Sequence, residues 1–216
     1  MASESRRLHS QEPWQHRGMT PGTSIGWTRL PPIPTRPGSS VATARLRRSR
    51  AGVIWDLARL TGIAIGYPEV QTVLDGAPVP GVSLVDRRTV SSIGAALDLV
   101  TASVEAGTLG PLARPVGELW SILHPDEATT PPATIEPPLV PHPYHQALVA
   151  CAARAMTPGA AGLSLLVAAG DLIATEYDAI SVAPSRLVEF RERLDDLRSG
   201  GDATGLLALL AASPII

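Results

Sequence analysis

Few side chains in this sequence could carry chemistry. His142 and His145 stand three apart, with His124, Asp126 and Glu127 upstream. That spacing puts two imidazoles on one helix face, where they could share a metal ion. His142 falls at a helix boundary, however, and no cysteine completes a ligand set, so capping or surface histidines are expected. Asp195 and Asp196, with Glu192, could serve as paired carboxylates. They alternate with Arg191, Arg193 and Arg198, which makes a solvated, salt-bridged helix face the simpler reading. Thr157 and Ser164 become nucleophiles only beside a base. None is local, although a distant histidine stays open. Cys151 lies inside an Ala/Val/Leu helix and reads as a small buried apolar residue. No metal and no cofactor is expected.

One stretch looks built for a ligand and yet lacks the groups to use it. Residues 156–165 (Met-Thr-Pro-Gly-Ala-Ala-Gly-Leu-Ser-Leu) form a tight, small-residue loop between two Ala/Leu-rich helical patterns. A loop feeding a helix N-terminus offers unpaired N–H groups and the positive end of the helix dipole. This one contains no base, no acid and no cation.

The elements around the loop read as helices throughout, and all-α is the expected class. From Val41 an amphipathic pattern carries Leu46, Val53, Leu57 and Leu60, and Gly62 ends that helix. Pro68 sits in the first turn of a short helix that runs to Gly76. Residues 77–81 are a loop. Asp86 is expected to cap a long helix ending near Ala106, with Val90, Ile93, Leu97, Val100 and Val104 inward. A further helix carries Leu119, Trp120 and Leu123 and stops at His124-Pro125. Six prolines make residues 125–141 an extended connection. His142-Pro143 then opens the helix that leads to Met156, and the next helix spans about Ala160 to Thr175. Pro184 starts another with Leu187, Phe190 and Leu194 inward, Gly200-Gly201 stops it, and Asp202 caps the last.

Composition bounds the rest. The chain has 216 residues, 44% apolar, enough for one core. A single cysteine excludes an internal disulfide framework, and no apolar run is long enough to span a membrane, so a cytoplasmic protein is expected. Residues 1–50 hold nine arginines against Glu4 and Glu12, whereas residues 51–216 hold nine arginines against eighteen acids. Prolines and arginines dominate residues 1–40, which are expected as a disordered arm ahead of a helical domain at 41–213. Trp14 and Trp27 could pin that arm to the domain or meet a partner.

The order of features resembles the Fic (fido) family, whose members transfer AMP or related groups from nucleotides to protein hydroxyls. Thr61-Gly62-Ile63-Ala64-Ile65-Gly66 stands where many relatives read Ser-Ser-Ala-Ile-Glu-Gly, and a similar short helix follows. Residues 186–207 are similar to the closing helices. Between them, residues 156–165 fall where the family has Ile-His-Pro-Phe-x-Asp/Glu-Gly-Asn-Gly-Arg. Only Pro158 and Gly162 agree. Thr157 stands at the general base, Gly159 at the Phe, Ala161 at the metal-holding acid, Leu163 at the Asn, Ser164 at the second Gly, and Leu165 at the phosphate-clamping Arg.

The resemblance thus implies a Fic-like multi-helix bundle without the usual activity. A threonine hydroxyl cannot act as a base near neutral pH, an alanine offers no metal ligand, and a leucine cannot neutralise a triphosphate. In relatives the front-motif Glu pairs with the motif's Arg. Here those positions are Ile65 and Leu165, and two aliphatic groups can replace a buried ion pair without loss of stability. The expectation is that these two side chains touch and close the former cleft. Thr61, Ile65 and Gly66 mark the former inhibitory motif. The expected role is a non-enzymatic interaction or regulatory module with a protein partner, no membrane, and neither nucleotide nor nucleic acid as ligand. The alternatives are an AMP-transferring enzyme with a rearranged site, holding phosphate at the Gly159 and Gly162 turn, and nucleic-acid binding through Arg45, Arg47, Arg48 and Arg50.

Overall fold

A computed structural model of the chain describes residues 25–108, 116–125 and 136–215. Among them the regular elements are helices: α1 Ser39–Arg48, α2 Arg50–Leu60, α3 Tyr67–Leu74, α4 Leu84–Glu105, α5 Val116–Leu123, α6 Pro143–Ala155, α7 Ala161–Ala174, α8 Leu187–Arg198 and α9 Thr204–Ala211. A 3₁₀ turn, Pro184–Arg186, leads into α8, and among the described residues the sole extended pairing is an antiparallel bridge between Ile180 and Pro214. The all-α class follows.

The core is the α6–α7 hairpin. Ten of the thirteen residues of α6 are buried, as are ten of the fourteen of α7. A helix apolar on every side has no solvent face and must sit in the middle. α4 packs against α7 and α2, α5 closes on α4, and α9 joins α6 to α8. The alanines at 147, 150, 152, 153 and 155 keep α6 thin, so its neighbours approach closely.

Glycine and proline set the boundaries as the sequence implies. Gly62 (φ +92°) and Gly76 (φ +77°) take the left-handed conformation just beyond α2 and α3. Pro68 and Pro143 occupy first turns, where a missing N–H costs nothing.

Three expectations need correction. The helix expected from Val41 to Gly62 is two, bent at Ser49 (φ −89°, ψ 6°), although Ser49 still donates to Arg45 O and accepts from Val53 N–H. The cap of α4 is Ser83: its Oγ accepts from Asp86 N–H at 3.0 Å and donates to Asp86 Oδ2 at 2.8 Å. Asp86 is the partner of that cap, through its N–H and its carboxylate, one turn in.

The third correction concerns the arm. Residues 1–24, including Trp14, lie outside the described residues. Residues 25–38 are a packed, extended strap. Ile25 is buried, and Trp27 and Leu30 pack on the core. Gly26 O accepts from Ala203 N–H at 2.8 Å, Thr28 N–H donates to Thr204 Oγ1 at 2.9 Å, and Pro31 O lies 2.8 Å from His145 Nε2. Arg36 Nε donates to Tyr177 OH at 2.9 Å, and Gly38 N–H donates to Glu176 O at 3.3 Å. Low apolar content did not leave this segment loose, because backbone groups and a few large side chains found partners on α6, α9 and the α7–α8 connection.

Candidate functional site

α6 ends at Met156, and the chain reverses within five residues to start α7. Gly159 takes φ +77°, which a side chain at that position would resist. Thr157 O accepts from Ala160 N–H at 3.1 Å, closing the turn, and Ala160 O accepts from Ser164 N–H at 2.8 Å. No side chain caps the first turn of α7. Arg198 of α8 holds the outgoing end of α6, donating to Met156 O at 3.1 Å and to Ala155 O at 3.0 Å. A cation on the last carbonyls of a helix suits both their lone pairs and the dipole.

The residues singled out in the loop divide into two sets. Pro158 and Gly159 are exposed, Thr157, Ala161 and Gly162 are half-buried, and Leu163, Ser164 and Leu165 are in the interior. Ser164 Oγ donates to Ala160 O at 2.6 Å and is wholly buried, so its hydroxyl is already used in holding the helix start. Leu165 is 3% exposed and Ile65 is 4% exposed; both belong to one apolar core. Gly66 precedes α3 as its cap residue, and a Cβ there would collide with the Glu69 carboxylate. Trp55 Nε1 donates to Ile65 O at 2.8 Å, tying the 61–66 segment back onto α2.

Gly159, Gly162 and Leu163 form one side of a groove of about 300 Å³. Thr61 and Leu57 line it from the end of α2, and His124 from the end of α5. The wall contributed by α4 is Val85, Arg88, Thr89, Ser92 and Ile93, spaced as one face of a helix. Thr61 Oγ1 donates to Ala58 O at 2.8 Å and so finishes α2. The His124 ring stacks on Trp120, centroids 3.8 Å apart and planes 25° apart. Among the described residues, no carboxylate lines this groove, its titratable or charged side chains are Arg88 and His124, and Arg88 makes no ion pair or hydrogen bond.

Sequence reasoning placed Thr61, Gly159, Gly162 and Leu163 in the site and missed His124, Arg88 and Val85 as neighbours. The α4 spacing was a usable signal for a shared face. Nothing local shows that this face meets the loop.

The other candidate groups of the sequence do not line this groove, and Asp126 and Glu127 lie outside the described residues. His142 and His145 have ring centroids 5.4 Å apart, and no group of three or more His, Cys, Asp or Glu among the described residues could hold a metal ion. Burial, then the charges of His145 and Arg36, push the His142 imidazole below its usual range. Asp195 and Asp196 are exposed on α8, Asp195 pairing with Arg198 at 3.2 Å. Burial pushes the Cys151 thiol up to about 12, which leaves it a packing group. Arg45 forks onto Asp178 at 2.9 and 2.7 Å, Arg47 reaches Glu105 at 2.6 Å, and Arg50 forks onto Asp98 at 2.7 Å through both nitrogens. Three of the four arginines that could have met nucleic acid are thus turned onto the domain's own acids. Among the described residues, no helix is long and apolar enough to cross a membrane.

No protein-family model and no curated protein sequence matches the chain. Solved structures do. One is Fic-1 (aa134 - 508) from C. elegans, which superposes with a TM-score of 0.64 at 15% identity over 79% of this chain. The match takes in 62% of that structure, so the chain spans less than two thirds of its length. At that identity the likeness is one of architecture: this chain has a Fic-like, all-helical fold.

Proposed function

We propose that the chain is a catalytically degenerate Fic-like domain acting as a non-enzymatic interaction or regulatory module. One observation carries this reading. The positions where the resembling family keeps its base, its acid and its arginine hold Thr157, Ala161 and Leu165, and Leu165 is built into the core. Transition-state stabilisation in phosphoryl-type transfer rests on positioned charge and a matched base. A hydroxyl, a methyl and a buried isobutyl group supply neither. Loss of all three functions together removes the reaction, because groups that act as a unit do not compensate for one another.

The test is transfer of radiolabel from ATP with Mg²⁺ to protein acceptors, run with the full chain. No label above background is expected, and no change of melting temperature with ATP and Mg²⁺. Label that vanishes on altering Thr157 would overturn the reading.

One observation favours a second reading. His124, remote in sequence, lines the same groove as Gly159 and Gly162 and is oriented by its stack on Trp120. An AMP-transferring enzyme with a rearranged site would use that imidazole as its base. On that reading His124→Ala abolishes labelling while Thr157→Ala leaves it unchanged.

A further inference from the structure

The groove beside the loop has a composition at odds with the domain around it. Residues 51–216 carry twice as many acids as arginines, yet none of the described residues that line the groove is an acid. Its floor is aliphatic, with Leu57, Ile93, Leu163 and Leu166. Among the described residues Arg88 is its one permanent charge, and it has no partner. The apolar surface also continues past the cavity. Val85 on the α4 wall is 70% exposed and its neighbour Leu84 is 55% exposed.

Arg88 follows Val85 by three residues and Leu84 by four, so the cation and both aliphatic groups share one stripe of α4. Exposed valine and leucine in the first turn do nothing for α4 itself, which is already capped by Ser83 and Asp86. An aliphatic trough edged by an unpaired guanidinium suits an apolar side chain followed by a carboxylate.

We propose that this groove is the docking site for a short segment of a partner protein that inserts a large apolar side chain and sets an Asp, Glu or terminal carboxylate on Arg88. The proposal rests on the non-catalytic reading of the domain and names the chemistry of its partner. The segment lies along the exposed first turns of α4, over Leu84 and Val85, and ends over Gly159 and Gly162. Small residues there let its backbone approach: a Cβ added at either glycine would meet nothing within 4 Å.

A randomised peptide library displayed on phage is panned against the full chain, and enriched sequences are made as fluorescent synthetic peptides. The expected binders combine a Leu, Phe or Trp with an acidic group. Their affinity falls roughly tenfold or more on Arg88→Glu, and similarly on Val85→Asp, which removes the apolar lip. Both positions are exposed, so both variants fold, as an unchanged melting temperature would show. Arg48→Glu, away from the groove, leaves affinity unchanged.

Basic or uncharged binders, binding that survives both groove variants, or no enrichment at all would overturn the proposal. So would dimers in sedimentation that Val85→Asp dissolves, since a second copy would then occupy the groove. Label transfer from ATP is scored separately. If panning yields nothing and no label is transferred, this inference fails while the non-catalytic reading stands.

Discussion

Asp56→Asn is expected to stabilise the protein above about pH 6 and to leave it unchanged near pH 4. Asp56 sits on α2, and its Oδ2 accepts from Ser181 Oγ at 2.6 Å, joining α2 to the segment paired with residues 213–215. Burial raises the carboxyl from 3.8 to about 6, partly opposed by the Ser181 hydrogen bond. A carboxyl raised in the folded state binds its proton more tightly there than in the unfolded chain. Stability therefore falls as pH rises from about 4 to about 6 and is flat beyond. Two units at about 1.4 kcal/mol each give a ceiling near 3 kcal/mol, and solvent access to the half-exposed group reduces this to about 1–2 kcal/mol.

Urea unfolding of both proteins at about pH 4.5 and about pH 7.5 isolates the term, because every other titration cancels in the difference. The variant's advantage is about three times larger at the higher pH, since asparagine keeps the acceptor for Ser181 and carries no charge. An advantage that is the same at both values, or largest in acid, would refute the reasoning. Ser181→Ala should steepen the slope in the wild-type background, since it removes the one group that favours the anion.

Three further outcomes are expected. Leu165→Arg puts an unpaired guanidinium in the core and should cost about 3–5 kcal/mol in chemical unfolding; adding Ile65→Glu recovers at least about 1 kcal/mol if the two side chains are neighbours, and simple additivity would place them apart. Glu176 holds φ +73°; Glu176→Gly should be neutral or stabilising by up to about 1 kcal/mol in thermal melts, whereas Glu176→Val should lose about 1–2 kcal/mol. Trp27→Ala should destabilise by about 1–3 kcal/mol and speed limited proteolysis within residues 25–38; unchanged cleavage would mean that the indole does not hold the strap.

The helices were legible because their punctuation is local. Gly62, Gly76 and Gly200 stop them, and Pro68, Pro143 and Pro184 start them, through backbone preferences that need no tertiary partner. The cap of α4 is legible in the Ser-x-x-Asp spacing of Ser83 and Asp86, a serine three residues ahead of an acid at a helix start. The bend at Ser49 was not, since the ladder of hydrogen bonds runs through it almost undisturbed. The strap was invisible for a different reason. Composition averages over residues 1–40, while its order comes from single contacts such as Arg36 to Tyr177 and Thr28 to Thr204. In the loop, the lack of any base, acid or cation could be read directly. The groove could not, because four helices far apart in sequence each give it one face.

The strap also sets a timetable for synthesis. Thr28 meets Thr204 across 176 positions, and Arg36 meets Tyr177 across 141. Closing so long a loop is entropically late, and on the ribosome it is impossible until α9 has left the exit tunnel. Ile25, Trp27 and Leu30 therefore wait uncovered through most of translation, along with the patch on α6 and α9 that receives them. A chain begun at Val41 would keep that patch bare for good, so such a truncation should yield an aggregation-prone product whereas one begun just before Ile25 should not.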